Sequence, residues 1–172
     1  MTVHTIGHST RPADEFLAIL HKFKIELLAD IRTVPRSRRN PQYDQESLKS
    51  LLANHAIEYA HFAALGGLRR PKKDSVNTGW ENASFRGYAD YMQTAEFAAA
   101  VENLITVAAE RKTVIMCAEA VPWRCHRSLV GDALLARGVE VQDILSLTNS
   151  RAHNMTPWAR VDGLNITYPP PA

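Results

Sequence analysis

Apolar residues in this chain come in short bursts separated by polar stretches of helical spacing, and the alternation repeats along most of its length. Val3, Thr5 and Ile6 read as a first strand ending at Gly7. Phe16, Leu17, Ile19 and Leu20 fall at helical spacing within 12–21, with Pro12 near the first turn and Thr10 as the expected cap. Residues 26–31 are largely apolar, as in a strand buried within a parallel sheet. Pro35 and Pro41 forbid a regular helix across the next ten residues or so. Leu48, Leu51 and Leu52 then mark one face of a helix over 44–54, with Asp44 as its N-cap. Residues 57–62 alternate like a third strand, and 66–85 is a long irregular stretch containing Gly66, Gly67, Pro71 and Gly79. Loops of that length are usually functional or disordered. Two helices are predicted over 86–93 and 95–110, a fourth strand over 113–117, a helix over 126–137 stopped by Gly138, and a fifth strand over 139–144.

Strands alternating with helices imply βαβ units, a mostly parallel sheet and right-handed crossovers. The pattern predicts a single three-layer α/β domain over residues 1–149, its five-stranded sheet flanked by helices. Five strands are too few to close comfortably, so an incomplete β/α barrel is the alternative and the open sheet is preferred. Residues 150–172, with Pro157 and Pro169 to Pro171, are expected to pack across the same domain as a C-terminal arm, with partial disorder as the alternative.

Composition changes this picture little. A chain of 172 residues, 45% hydrophobic and 22% charged, suits one globular domain with a proper core. No apolar run reaches the length of a membrane span, and the N-terminus has no basic region followed by an apolar one. The expectation is a cytoplasmic protein with no membrane partner, whose two cysteines are free thiols.

Charge changes it more. The net charge is only +2, yet Arg32, Arg36, Arg38 and Arg39 lie in a stretch without an acid, and Arg69, Arg70, Lys72 and Lys73 form a second basic group. Guanidinium forks match phosphate and carboxylate oxygens, so clustered arginine points to an anionic ligand, against the alternative of a solvated basic loop. Trp80, Phe85, Tyr88, Tyr91 and Trp123 offer stacking surfaces for bases unless they pack in the core. A near-neutral total charge argues against extended duplex binding and favours a nucleotide or a short single-stranded segment.

The densest chemistry lies between Cys117 and Arg127. Both cysteines are here, with Glu119, Arg124 and His126, between a predicted strand and a predicted helix. In parallel sheets, ligands bind outside the carboxyl ends of the strands. Those ends carry Gly7, His8 and Ser9, then Asp30 and Arg32, then Cys117 and Glu119. Each has a plain reading beside the functional one: Asp30 pairs an arginine, His8 caps a turn, Ser9 starts a helix. Cys117 ends a strand and is expected to be half buried. Cys125 precedes a helix among Arg124, His126 and Arg127, a setting that favours the thiolate. Cys125 is thus the better nucleophile on local grounds, and Cys117 the better placed. The cysteine and histidine spacing matches no zinc signature, so no metal is expected. Cys117 and Arg124 are seven apart, one or two residues longer than a phosphatase loop uses. No glycine-rich phosphate loop or dinucleotide fingerprint is present, and no cofactor is expected.

These motifs together resemble the bacterial family catalogued as domain of unknown function 488. The resemblance rests on Thr5 to Ser9, Asp30 to Arg32, Pro35 to Pro41, Leu65 to Gly67, Phe85 to Ala89, Met116 to Glu119 and Trp123 to Arg127, with His153, Thr156, Pro157, Tyr168 and Pro169. It implies one α/β domain with these residues around a single pocket, so that Ser37, Gly66, Gly67 and His153 join the candidate ligand-binding positions. It implies no particular activity, because the family is largely uncharacterised.

Three functions are expected from these residues. The first is an enzyme acting on a phosphate-bearing ligand such as a nucleotide or nucleic-acid component. Arg32, Arg36, Arg39 and Arg127 would hold the anion, aided by His8 and Ser9. Glu119 or Asp30 would be the base or orienter, with His126 beside them, and Cys117 or Cys125 the nucleophile. The second is a non-catalytic nucleotide or nucleic-acid binding module built on the same arginines. The third is a thiol redox or metal-binding protein. The oligomeric state is not legible.

Overall fold

The computed structural model describes residues 1–171. In chain order the strands are β1 (Thr2–Gly7), β2 (Leu27–Asp30), β3 (Glu58–His61), β4 (Thr113–Cys117), β5 (Glu140–Ile144) and β6 (Ser150–Ala152). They form one sheet in the order β3-β2-β4-β1-β5-β6, with the first five parallel and β6 antiparallel to β5. The helices are α1 (Ala13–Lys22), α2 (Gln45–Ala53), α3 (Ala83–Tyr91), α4 (Ala95–Glu110) and α5 (Arg127–Ala136). A small hairpin of β7 (Arg160–Asp162) and β8 (Asn165–Thr167) completes the chain.

The molecule has three layers because strand side chains alternate between two covered faces. Ile6, Leu28, Val114 and Met116 point to one face, where Phe16, Leu20, Leu48 and Leu52 from α1 and α2 bury them. Val3, Leu27, Ala29, Ile115 and Cys117 point to the other, against Tyr88, Phe97, Val101, Leu129 and Val130 from α3, α4 and α5. The sheet is open, with β3 and β6 at its edges, so no barrel forms. Chain leaving β1 enters α1 on the first face, while chain leaving β4 enters α5 on the second. β1 and β4 are neighbours, so their C-terminal ends flank a crevice of the kind that binds ligands in doubly wound sheets.

Two expected helix caps differ in detail. Helix α1 begins after Pro12, not Thr10, and no side chain caps it. Asp44 does stand at the N-cap of α2, but its carboxylate makes no cap bond and instead accepts from the Ser37 backbone N–H at 2.7 Å. Helix α3 starts three residues before its predicted first position because Asn82 caps it, accepting from Ser84 and Phe85 N–H. The loop between Leu65 and α3 is tied down rather than loose. Buried Asp90 accepts from the Lys72 N–H (2.7 Å), the Ser75 hydroxyl (2.6 Å) and the Asn77 amide (2.7 Å).

The C-terminal segment packs on the rest of the domain. It supplies β6 to the sheet, and beyond it His153 N–H donates to Val141 O at 2.8 Å. Ile166 and Tyr168 enter the core on the α5 side.

Candidate functional site

The ends of β1, β2 and β4 converge as the sheet order requires. Beyond the last strand pair, the exit loop of β1 goes on pairing with that of β4: His8 N–H donates to Cys117 O at 3.0 Å and Ser9 N–H to Ala118 O at 2.9 Å. The loop after β4 lies flat across Gly7, where an added Cβ would stand 1.5 Å from Glu119 O. Only glycine permits this crossing.

An open cavity of about 460 Å³ lies over these ends. Of the residues singled out from sequence, Arg32, Arg36, Gly67, Cys117, Glu119, Cys125 and His126 line it. Arg124 lines it too, and so do Asn82, Ser84 and Phe85 from the start of α3, which place a helix N-terminus at the cavity wall. Asn82 and Ser84 are not among the positions that sequence reasoning selects. Asn82 before an alanine-aromatic run is a legible N-cap signal, but nothing in the sequence brings that cap to the β4 loop.

The floor is a pair of thiols. Cys117 and Cys125 are free and buried, and their sulfurs lie 2.6 Å apart. That is inside van der Waals contact, so the two cannot both be negatively charged. Burial by itself raises a thiol's pKa, but at Cys117 the hydrogen bond donated by Cys125 and the nearby Arg127 charge outweigh it and hold the thiol below its ordinary value. Burial and the adjacent Cys117 push Cys125 well above it. The local expectation that Cys125 is the thiolate is therefore reversed: basic neighbours in sequence do not decide it, because the strand-end sulfur receives the shared proton's hydrogen bond. Cys117 is also more deeply buried than the half-buried position expected of it.

His126 stands beside Cys125, with Nδ1 3.4 Å from that sulfur and Nε2 3.0 Å from Ile31 O. The carbonyl oxygen can only accept a hydrogen bond, so Nε2 carries the ring proton and Nδ1 is the unprotonated nitrogen facing Cys125. Burial depresses the imidazole pKa to about 4, and the ring is neutral at pH 7. Gly67 passes so close that a Cβ there would sit 2.6 Å from Nδ1. Glu119 is exposed at the rim, and the Arg36 and Arg124 guanidinium groups are exposed as well.

Behind this wall, Asp30 and Arg32 form a buried bidentate pair, with Nε to Oδ1 at 2.9 Å and a terminal nitrogen to Oδ2 at 2.7 Å. Tyr59 donates to the same carboxylate at 2.6 Å, and Arg32 N–H at 3.1 Å. Both its oxygens are occupied by these donors, and Asp30 is not among the residues that line the cavity. The third face of the guanidinium approaches His8 Nε2 at 3.4 Å. His8 Nδ1 in turn donates to Ser9 O at 2.8 Å, and its ring stacks on Tyr43 at 4.3 Å. Burial lowers the His8 pKa, which matches an Nε2 that accepts from arginine.

The other candidates serve the scaffold. Ser9 adopts a left-handed backbone (φ 49°) at the turn out of β1. Ser37 Oγ accepts from Asn40 N–H at 3.1 Å, and Arg39 is exposed outside the cavity. Gly66 packs on Thr33, whose Oγ1 a Cβ would approach to 2.4 Å. His153 does not reach the cavity. It lies behind α5, with Nε2 2.8 Å from Asp132 Oδ1 and Nδ1 3.7 Å from Asp143 Oδ2. Burial would lower its pKa, but these two carboxylates overcome burial and raise it to about 9. Asp132 also accepts from the Thr156 and Tyr168 hydroxyls, each at 2.7 Å. Arg127, 1% exposed, lies between this ionic cluster and the thiols. It donates to Ala120 O at 3.3 Å, while its Nε and one terminal nitrogen have no protein partner. It is not among the residues that line the cavity, and its charge lowers the Cys117 pKa.

Of the aromatic residues, Tyr88 and Tyr91 are core, Trp80 stacks on Phe85 at 5.0 Å, and Trp123 is exposed. Among the described residues, no three His, Cys, Asp or Glu side chains gather as a metal-ion set, and no helix is long and apolar enough to cross a membrane.

Fold and site together define a doubly wound α/β domain with a cysteine-and-arginine pocket at its switch point. The family model described as "Domain of unknown function DUF488" matches residues 12–134, and the chain belongs to that family. No curated protein and no solved structure matches it.

Proposed function

We propose that this protein is an enzyme acting on a phosphate-bearing small ligand, a nucleotide or nucleic-acid component, with Cys117 as the nucleophile. The observation that carries the reading is a thiol held below its ordinary pKa on the floor of a cavity whose walls present Arg36, Arg124 and the start of α3. An anionic group entering there meets guanidinium forks and the positive end of the α3 dipole, whose Ser84 and Phe85 N–H groups are held by Asn82, and a flat moiety beside it meets Phe85. Cys125 donates its hydrogen bond to the attacking sulfur, and Arg127 balances the charge from behind. Glu119, exposed at the rim, is the group placed to exchange a proton with the leaving atom or with water. Two free thiols suit a reducing compartment, and the proposed location is the cytoplasm.

Inorganic phosphate and adenosine monophosphate are suitable binding probes, and p-nitrophenyl phosphate a suitable turnover probe. Both binding probes are expected to raise the melting temperature, less so in high salt, and Arg36→Ala with Arg124→Ala is expected to abolish the rise. Cys117→Ser should keep the rise and lose turnover. Absence of any thermal shift with either probe, or turnover that survives Cys117→Ser, would sink the reading.

A non-catalytic anion-binding module is the second reading. It is favoured by the exposed Arg36, Arg38 and Arg39, for which no ion pair is formed among the described residues. It expects the same salt-sensitive thermal shift, with no turnover and no effect of either cysteine.

A further inference from the structure

A single reactive thiol needs one cysteine, yet the floor of the cavity has two in contact. Cys125 adds nothing to anion binding: it is buried, uncharged at neutral pH, and turned toward Cys117 rather than toward the arginines. Its neighbours nonetheless fit a definite chemistry. The sulfurs are 2.6 Å apart, and both side chains reach the same cavity. Cys117 is the last residue of β4, and Cys125 lies between the short Pro122–Arg124 turn and α5, so each sulfur is placed by the elements beside it. A disulfide brings the sulfurs to about 2.05 Å, within reach of small side-chain rotations.

We propose that the Cys117–Cys125 pair is a modification site, at which a peroxide closes a reversible disulfide and switches the pocket off. The proposal rests on the reading of Cys117 as the pocket's nucleophile. In the first step the Cys117 thiolate gives an electron pair to one peroxide oxygen. The O–O bond breaks, Cys117 becomes a sulfenic acid, and the departing alkoxide or hydroxide takes a proton from solvent. The sulfur is oxidised by two electrons and the peroxide is reduced. In the second step the Cys125 sulfur attacks the Cys117 sulfur. The S–O bond breaks, and hydroxide leaves as water with the proton from Cys125. The net change is two thiols and one peroxide going to one disulfide, an alcohol or water, and one water.

The surroundings drive the second step. Burial is the main reason Cys125 stays protonated, but once Cys117 is a neutral sulfenic acid the part of the opposition that came from its hydrogen bond and charge is gone. Arg127, with hydrogens to spare, then stabilises the Cys125 thiolate instead. His126 Nδ1, 3.4 Å from that sulfur with its other nitrogen held on Ile31 O, is placed to take the proton. A small oxidant reaches the pair through the cavity it lines.

The test uses the full reduced chain, hydrogen peroxide, and mass measurement of the intact protein after alkylation under denaturing conditions. The wild type is expected to lose the mass of two hydrogens, to take up no alkylating reagent, and to recover both alkylation sites with dithiothreitol. Cys125→Ser is expected to add oxygen atoms at Cys117 that dithiothreitol does not remove, because nothing resolves the sulfenic acid. p-Nitrophenyl phosphate turnover of the wild type should fall with disulfide formation and return on reduction. Oxygen addition to the wild type at the rate seen in Cys125→Ser, or two thiols still alkylatable after peroxide, would overturn the proposal. The mass readout needs neither phosphate binding nor turnover. A disulfide that forms in a protein with no phosphate response would therefore defeat the phosphate reading alone.

Discussion

Single residues fix this site by what they exclude. Gly7 lets the β4 loop lie across β1, and Gly67 lets a neighbouring loop pass His126. A methyl group at position 7 meets a backbone carbonyl, which cannot turn aside as a side chain would. Gly7→Ala is expected to cost about 3 kcal/mol or more, read as a lowered denaturant midpoint at unchanged slope. It should also misplace Cys117, whose carbonyl is paired to His8 N–H. The thiol pair has its own signature in thiolate absorbance. One sulfur of the wild type should ionise below the ordinary thiol range. Cys125→Ala, which removes the donated hydrogen bond, should move that ionisation upward. An unmoved titration would mean that Arg127 and the backbone at Glu119, without Cys125, set the charge on Cys117.

At the scale of elements, legibility tracks hydrophobic content. The five parallel strands are readable because each carries apolar residues on a predictable period, and the helices because their apolar faces recur at helical spacing. Strands β6, β7 and β8 have three residues apiece and are mostly exposed, so no period can show itself. Their pairing comes from tertiary context. The loop between Gly66 and α3 shows the same limit. Its length suggests function or disorder, whereas its order depends on one carboxylate from the helix after it. Asp90→Ala leaves the Lys72 N–H without its acceptor and the Asn77 amide with Gln93 alone, at about 1–3 kcal/mol for such a loss. The variant is expected to be cut by trypsin at exposed Lys72 or Lys73 well before the wild type. Equal cutting rates would show that the loop is held by its aromatic contacts instead.

For the molecule as a whole, two histidines oppose each other in pH. His153 is raised to about 9 from an ordinary 6.5, so its stabilisation is complete below 6.5 and is lost as pH climbs through 9. His126 is lowered to about 4, so the folded state refuses a proton that the unfolded chain accepts, and stability falls as pH drops from 6.5 toward 4. Melting temperature should therefore peak near pH 6.5. His153→Gln should flatten the alkaline limb, which is worth on the order of 2 kcal/mol, and leave the acid limb in place. The convergence of strand ends on one rim is readable in the sequence, since parallel order forces it. The destination of His153 is not, because a histidine beyond the last predicted strand reveals nothing of the two aspartates it will meet. Those aspartates have a consequence for how the protein is made. Asp132 and Asp143 emerge from the ribosome before His153, Thr156 and Tyr168, which neutralise or hydrogen-bond them. Asp143 has the Thr5 hydroxyl from the outset, but until residues 153–168 are made Asp132 lacks the groups that pair with it, so the core behind α5 cannot close before them. Synthesis of that segment, rather than of the sheet, is then the event that lets this part of the core close.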